Sequence, residues 1–374
     1  MLTGRAWLWV LFLGGSLGST CGRAQALPVF AHRYGFTCQQ CHTTVPHLNA
    51  FGVYFLKHDF RLPDAHGVFP IAVKTELDYS SGGGGDQDEP GGGPPLPKFI
   101  VNEIELISAG SLGRNTSYYL EQYVVDGGEP GLPRDMWVNF DDYTNHADPT
   151  YSILQARLGQ FTLPLLYDPE TQRPTITGYG LYSQTVGINP FNFFDDGIGA
   201  DLSFTNDRAG LEAHLVAAQA YTPQSGIPNS GVDLMGTVSG TFANYLTLQA
   251  YRYQGQRAVT PIGDLFWRQG IQGLYSRGNF QIGGAIQTGH DSSDDGYGLG
   301  ILSSGGFLQA AWTFNPATAL YARYDDVYDP FNLRQTDAVV DLVLRPRRNM
   351  RLNLEGKRAQ DGTNQFGAQV LFAY

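Results

Sequence analysis

Cys38-Gln39-Gln40-Cys41-His42 forms a C-x-x-C-H pentapeptide, and its three reactive side chains suit one kind of chemistry. Two thiolates three positions apart can each form a thioether to a vinyl group of the same porphyrin. The histidine that follows then falls under the iron as its proximal ligand. The competing reading is a C-x-x-C redox pair or disulfide that happens to precede a histidine, but no thioredoxin-like βαβ pattern surrounds it. The pentapeptide therefore nominates one covalent haem c held by Cys38, Cys41 and His42. The distal position stays open. Methionine would raise the potential, but residues 27–68 contain none, and Met136, Met235 and Met350 fall on predicted strands. His58 is the leading distal candidate, with His66 and His47 behind it and a vacant sixth position as the remaining choice.

The elements that must position these residues begin with a compact unit from Leu27 to about Val68, which holds five of the eight histidines. Pro46 is expected to start a helix, and Leu48, Phe51, Phe55 and Leu56 recur at helical spacing, an apolar stripe able to lie on a porphyrin or on the next domain. Residues 1–26 read as an export signal. Arg5 supplies the positive start, Ala6–Leu17 the apolar core and Ala24-Gln25-Ala26 the cleavage site. Of the three cysteines, Cys21 leaves with that signal, and only Cys38 and Cys41 remain. That economy suits haem attachment in an oxidising compartment.

From Phe69 to Tyr374 the periodicity changes to two. Phe366, Ala368, Val370, Phe372 and Tyr374 share one face, and Gln365, Gly367 and Gln369 the other. Met350, Leu352 and Leu354 likewise oppose Arg351, Asn353 and Glu355, while Ala338, Val340, Leu342 and Leu344 oppose Asp337 and Asp341. Charges on one face of successive strands would be costly in a closed sandwich core but suit a water-filled lumen. Charged residues make up only 16% of the chain, with 47 glycines, 21 tyrosines and 22 phenylalanines and no long apolar run after the signal. This composition fits an all-β membrane barrel with lipid on one face and water on the other. A net charge of −11 argues against nucleic acid as a partner.

Sixteen strands are expected, near 69–80, 98–110, 115–126, 134–142, 150–161, 197–205, 208–221, 232–241, 244–254, 264–276, 279–290, 303–314, 318–327, 335–345, 348–357 and 364–374. Tracing back from a periplasmic C-terminus leaves tight turns on the inner side, among them Pro346-Arg347, Asn315-Pro316-Ala317 and Gly278. Longer connections fall outside, as in bacterial outer-membrane barrels. The same tracing starts the first strand in the periplasm and sets the haem segment at the inner mouth. Residues 162–196, rich in proline and aromatics, are expected to fold inward and narrow the barrel, the alternative being an exposed lid. Residues 81–97 read as a Gly/Pro tract carrying Asp86, Asp88 and Glu89, and acidic outer loops including Asp291, Asp294 and Asp295 could concentrate Fe(II), the alternative being ordinary hydrophilic loop composition.

The stretch Ala31–His42, followed by Pro46, Leu48-Asn49-Ala50-Phe51-Gly52 and Phe55, resembles the fused monohaem outer-membrane cytochrome–porin family of iron-oxidising bacteria. The resemblance covers about residues 27–60; His32 stands where relatives often carry arginine, and the barrel is compact for the iron oxidisers. It implies a haem segment at the periplasmic end of the barrel, with Cys38 and Cys41 holding the haem and His42 on iron. It also implies electrons passing from extracellular Fe(II) to periplasmic carriers such as soluble c-type cytochromes. The expected function is thus electron transfer across the outer membrane, by an electron carrier rather than a hydrolase or transferase. The rivals are a solute porin with haem as plug or sensor, and a soluble periplasmic haem β-sandwich.

Overall fold

The structure is a computed structural model that describes Phe30, Tyr34, Phe36, residues 38–44 and 47–57, Phe60, and residues 71–373 apart from 82–97, 142–152, 222–230, 258–262, 293–299 and a few shorter gaps. Its long strands are β1 (Ala72–Ser80), β2 (Lys98–Ser111), β3 (Thr116–Asp126), β4 (Pro133–Asp141), β5 (Ile153–Phe161), β6 (Asp196–Asn206), β7 (Leu211–Tyr221) and β8 (Asp233–Phe242). They continue as β9 (Leu246–Arg257), β10 (Asp264–Arg277), β11 (Phe280–Asp291), β12 (Ile301–Asn315), β13 (Thr318–Asp329), β14 (Leu333–Arg347), β15 (Met350–Ala359) and β16 (Asn364–Ala373). Each pairs antiparallel with its neighbours in sequence, and β16 returns to β1 with Val370 opposite Leu77. Among the described residues these sixteen strands close one barrel, with every expected strand present.

Closure follows from the alternation. Along β9, Leu248 and Ala250 face outward, while Gln249, Tyr251 and Tyr253 are buried inside. Leu215, Leu265, Ile286, Leu302 and Leu308 are each at least 60% exposed, whereas Asp341, Asn353 and Asp291 show no exposure. A water-soluble fold places these groups the other way round; a barrel wrapped in hydrocarbon requires this arrangement. On β16, Phe366 and Phe372 face out and Gln369 faces in, as the alternation predicts.

Connections divide by length. At one end the turns span 112–115, 207–210, 243–245, 278–279, 316–317 and 348–349, with 142–152 the longer exception. At the other end lie 81–97, 127–132, 162–195, 222–232, 258–263, 292–300, 330–332 and 360–363. The expected turn at Pro346-Arg347 is displaced: β14 runs on to Arg347 with a register shift after Leu344. Gly278, at φ +60, adopts the left-handed conformation that so tight a turn demands. Gly159 serves a different need. At φ +139, an added Cβ there would lie 2.1 Å from the Met136 carbonyl oxygen, so only glycine lets β5 approach β4 beside Trp137.

Ahead of the barrel, helix α1 (Cys38–Cys41) makes a single turn, His42–Thr44 pairs with His47–Leu48, and helix α2 spans Ala50–Lys57. The segment is therefore less helical than expected, and α2 starts four residues beyond Pro46. Asn49 sets that boundary: its side-chain oxygen accepts the Gly52 N–H at 2.9 Å, an N-cap, while its own N–H donates to the Cys41 carbonyl at 2.8 Å.

Replacing outward Leu215 by arginine should cost roughly 2–4 kcal/mol of folding stability in bilayers, the range for a charge near mid-belt. Urea titration of vesicle-folded protein measures it, and an unchanged midpoint would show that this face is not in lipid.

Candidate functional site

The connection 162–195 folds into the lumen instead of standing over it, as its apolar composition predicts. Leu163, Tyr167, Tyr179, Leu181, Tyr182, Phe191 and Phe193 pack against Val216, Met235, Tyr251, Tyr253, Phe266, Ala285, Phe307 and Val327 from the inner faces of β7–β13. Short helix α3 (Gly180–Ser183) lies within this cluster.

Buried polar groups of the wall receive the loop backbone. Leu166 and Tyr167 donate their N–H groups to Gln249 and Gln272 at 2.8 and 3.1 Å. Thr177 donates to Glu355 at 3.0 Å and Gly180 to Asp325 at 3.2 Å. The Arg323 guanidinium donates to the carbonyls of Thr177 and Gly178 at 3.0 and 2.6 Å and pairs with Asp325 at 2.7 Å. On the facing wall, the Asn189 amide bridges Asp264 and Asp291 at 2.7 and 2.9 Å. Burial pushes the Tyr179 hydroxyl up to about 12 against the opposing pull of Arg323, so it stays neutral at physiological pH.

The loop divides the lumen in two. The chamber on the short-turn side encloses about 1320 Å³ and the one on the long-loop side about 680 Å³. Arg173 and Phe194 border both chambers. Arg173 is held there by its donations to the Thr175 and Pro169 carbonyls at 2.9 and 3.0 Å, with its guanidinium 5.9 Å from the Phe194 ring.

Two of the residues singled out for haem chemistry, half-buried Cys41 and buried His42, line the larger chamber beside Phe36, Leu48 and Phe55. Cys38 and Cys41 open and close the single turn of α1. Gly52 packs so closely that a Cβ there would lie 2.1 Å from the Cys41 carbonyl oxygen, which is why small residue 52 sits under the second cysteine. His58 and His66 lie outside the described residues, as do Asp86, Asp88, Glu89, Asp294 and Asp295. Met136 faces outward, Met235 is buried against the loop, and Met350 is on β15.

Asp291 corrects one expectation. It is no loop acid waiting for cations but a fully buried inward residue, paired with Arg268 at 2.8 Å and bonded to Asn189. Two inward groups carried no sequence signal beyond their residue type. Lys74 lies among Glu76, Glu103 and Glu105 at 3.2, 3.0 and 2.6 Å. His214 lies between Asp201 and Glu212 at 3.0 and 3.2 Å.

No family model and no curated protein matches the chain. Solved structures do share its fold. An anion-selective porin from Comamonas acidovorans superposes on 82% of this chain and 99% of its own, with a TM-score of 0.59 and 15% identity. OmpF of Salmonella typhi, in complex with daunomycin, matches 82% of this chain and 97% of its own, at 0.59 and 8%. OmpT, an outer membrane protein of Vibrio cholerae, matches 82% and 97%, at 0.56 and 11%. The chain is thus a closed, sixteen-stranded antiparallel barrel of the porin type.

Removing Arg323 leaves Asp325 buried without its cation and two loop carbonyls without a donor. Arg323→Ala should therefore destabilise the barrel by roughly 3–5 kcal/mol. It should also raise protease sensitivity within 162–195, read by limited proteolysis in detergent; an uncut loop at unchanged stability would show that these bonds do not anchor it.

Proposed function

We propose that the protein is an outer-membrane porin that passes small polar solutes through a lumen narrowed by its own inward loop. The observation that carries this reading is the pair of chambers meeting at Arg173 and Phe194. Charged side chains face both chambers, among them Lys74, Glu105 and His214 in the larger and Asp329, Asp337 and Lys357 in the smaller, and the loop restricts passage without being a separate domain. The apolar outer belt and the contrast between short turns and long connections support an orientation with the short turns in the periplasm. A barrel of this strand number is wide enough for an aqueous channel.

The residues at the short-turn mouth fit a covalent haem. Cys41 and His42 border a chamber larger than the roughly 300–1,000 Å³ of common ligand pockets, and Phe36, Leu48 and Phe55 supply apolar wall. Cys38 and Cys41 would hold the porphyrin and His42 would ligate its iron, with His58 the distal candidate. A bound haem supplies a one-electron couple. The chain's own contribution is to hold His42 buried at the chamber wall, through the Asn49 contact to Cys41 and the packing of α2.

That position favours a second reading beside the first: electron transfer from extracellular Fe(II) to periplasmic carriers such as soluble c-type cytochromes, in keeping with the cytochrome–porin resemblance. A solute porin needs permeability; an electron carrier needs only the haem.

Proteoliposomes of the intact protein should swell in small neutral sugars. Impermeability both with and without residues 27–60 would end the porin reading. Mass spectrometry of the purified chain should find one haem adduct lost on Cys38→Ala/Cys41→Ala substitution. If the adduct is present but Fe(II) leaves its absorption bands oxidised while dithionite shifts them, iron oxidation falls.

A further inference from the structure

Trp137, half-buried on the inner face of β4, stands where two clusters meet. On one side are residues of the mouth segment. Phe30, Phe55 and Phe60 are buried against Ala72, Ile107 and Ala109 of the β1–β2 inner wall. The Phe30 ring lies 4.9 Å from both Phe55 and Phe60, and the Tyr34 hydroxyl donates to the Phe60 carbonyl at 3.0 Å. Phe60 then stacks on Trp137 and on Tyr119 of β3, at 6.2 and 6.4 Å. Those two wall rings stack on each other at 5.6 Å with planes 14° apart, and the Tyr119 hydroxyl is fixed on Glu121 at 2.8 Å.

On its other side, Trp137 packs against the cluster built by the inward loop. The Arg157 guanidinium lies over the indole at 4.6 Å and 5.9 Å from Phe161, at the point where β5 passes into the loop. The buried Arg157 Nε has no hydrogen-bond partner, and the guanidinium lies against the aromatic faces with Asp135 as a nearby charge. Gly159 permits the close β4–β5 approach that sets this geometry. One indole is therefore shared by the segment in the mouth and the root of the constriction.

Resting on the porin reading, we propose that Trp137 couples the two: the seated mouth segment braces the root of the inward loop through the Phe60–Trp137 stack and keeps the passage narrow. Unseating the segment removes one face of the indole's packing. The root of the loop at Phe161 and Leu163 then loses its backing while its far attachments at Glu355 and Asp325 remain. The passage widens on the β4–β5 side, and the state of the mouth segment is read out as conductance.

Single-channel conductance in planar bilayers tests this with the full chain and four variants: Phe60→Ala, Trp137→Phe, Trp137→Ala, and Phe60→Ala combined with Trp137→Ala. Heat-modifiable gel mobility confirms that each variant is a closed barrel. Phe60→Ala alters no barrel residue and should raise single-channel conductance clearly above that of the unsubstituted protein. Trp137→Phe keeps a stacking ring and should stay near the unsubstituted protein. In the double variant, Phe60→Ala should add nothing to the effect of Trp137→Ala alone. Equal effects of Phe60→Ala with and without the indole, or no effect at all in a conducting barrel, overturn the coupling and leave the porin reading standing. If no preparation conducts, including one lacking residues 27–60, the porin reading falls and the coupling with it.

Discussion

Every backbone N–H and C=O that crosses hydrocarbon must find a partner within the protein, because no water is available there. Among the described residues, sixteen antiparallel ladders meet this demand by closing on themselves through β16 and β1. The side-chain arrangement follows. With lipid outside, leucine and isoleucine are cheapest on the outer face, and most polar residues of the strands are turned inward. The interior is then unlike a soluble core: it carries Arg323–Asp325, Arg268–Asp291 and Arg257–Asp233 as buried pairs.

Those inward charges give the loop its place. A loop entering a lumen must satisfy its own backbone, and the wall supplies fixed acceptors and donors at the right points: Gln249, Gln272, Glu355, Asp325 and Arg323. Its aromatics need apolar surface as well, which Tyr251, Tyr253, Phe266 and Phe307 provide. Each buried carboxylate with a cation or amide beside it is a strong local contact whose loss leaves an uncompensated charge. The partition at Arg173 and Phe194 is thus set by the strands around it as much as by the loop itself.

The mouth segment uses a different principle. It has too little apolar area to stand alone. Phe30, Phe55 and Phe60 are buried only because they lie on the barrel's inner wall, and the indole of Trp137 gives them a stacking surface. Cys41 and His42 line the chamber because α2 is capped at Asn49 and packed through Gly52. The chemistry suggested by five consecutive residues thus depends on one glycine, one asparagine and a wall that lies far away in the chain.

Strand number and alternation were legible in the residues themselves, because two-residue periodicity is a local property and lipid on one face leaves a plain mark. Phe366, Val370 and Phe372 against Gln369 is enough to orient β16. The inward course of 162–195 was legible too, since a long connection rich in Leu, Tyr and Phe has little reason to face water. The C-x-x-C-H pentapeptide is likewise a local pattern. What alternation could not reveal is what each inward residue meets. Asp291 is acidic beside an acidic loop, and only the register of β10 and β11 places it against Arg268 instead of water. On β9 the tyrosines point inward and Arg252 outward, against the simple polar-in rule, because the loop makes that stretch of lumen apolar. Trp137, Lys74 and His214 are single residues without motif, and their meaning comes from partners tens of residues away. Local periodicity and composition therefore determined the barrel and the C-x-x-C-H pentapeptide, while closure in three dimensions alone decided which side chains share the lumen, since contact across a cylinder has no counterpart along the chain.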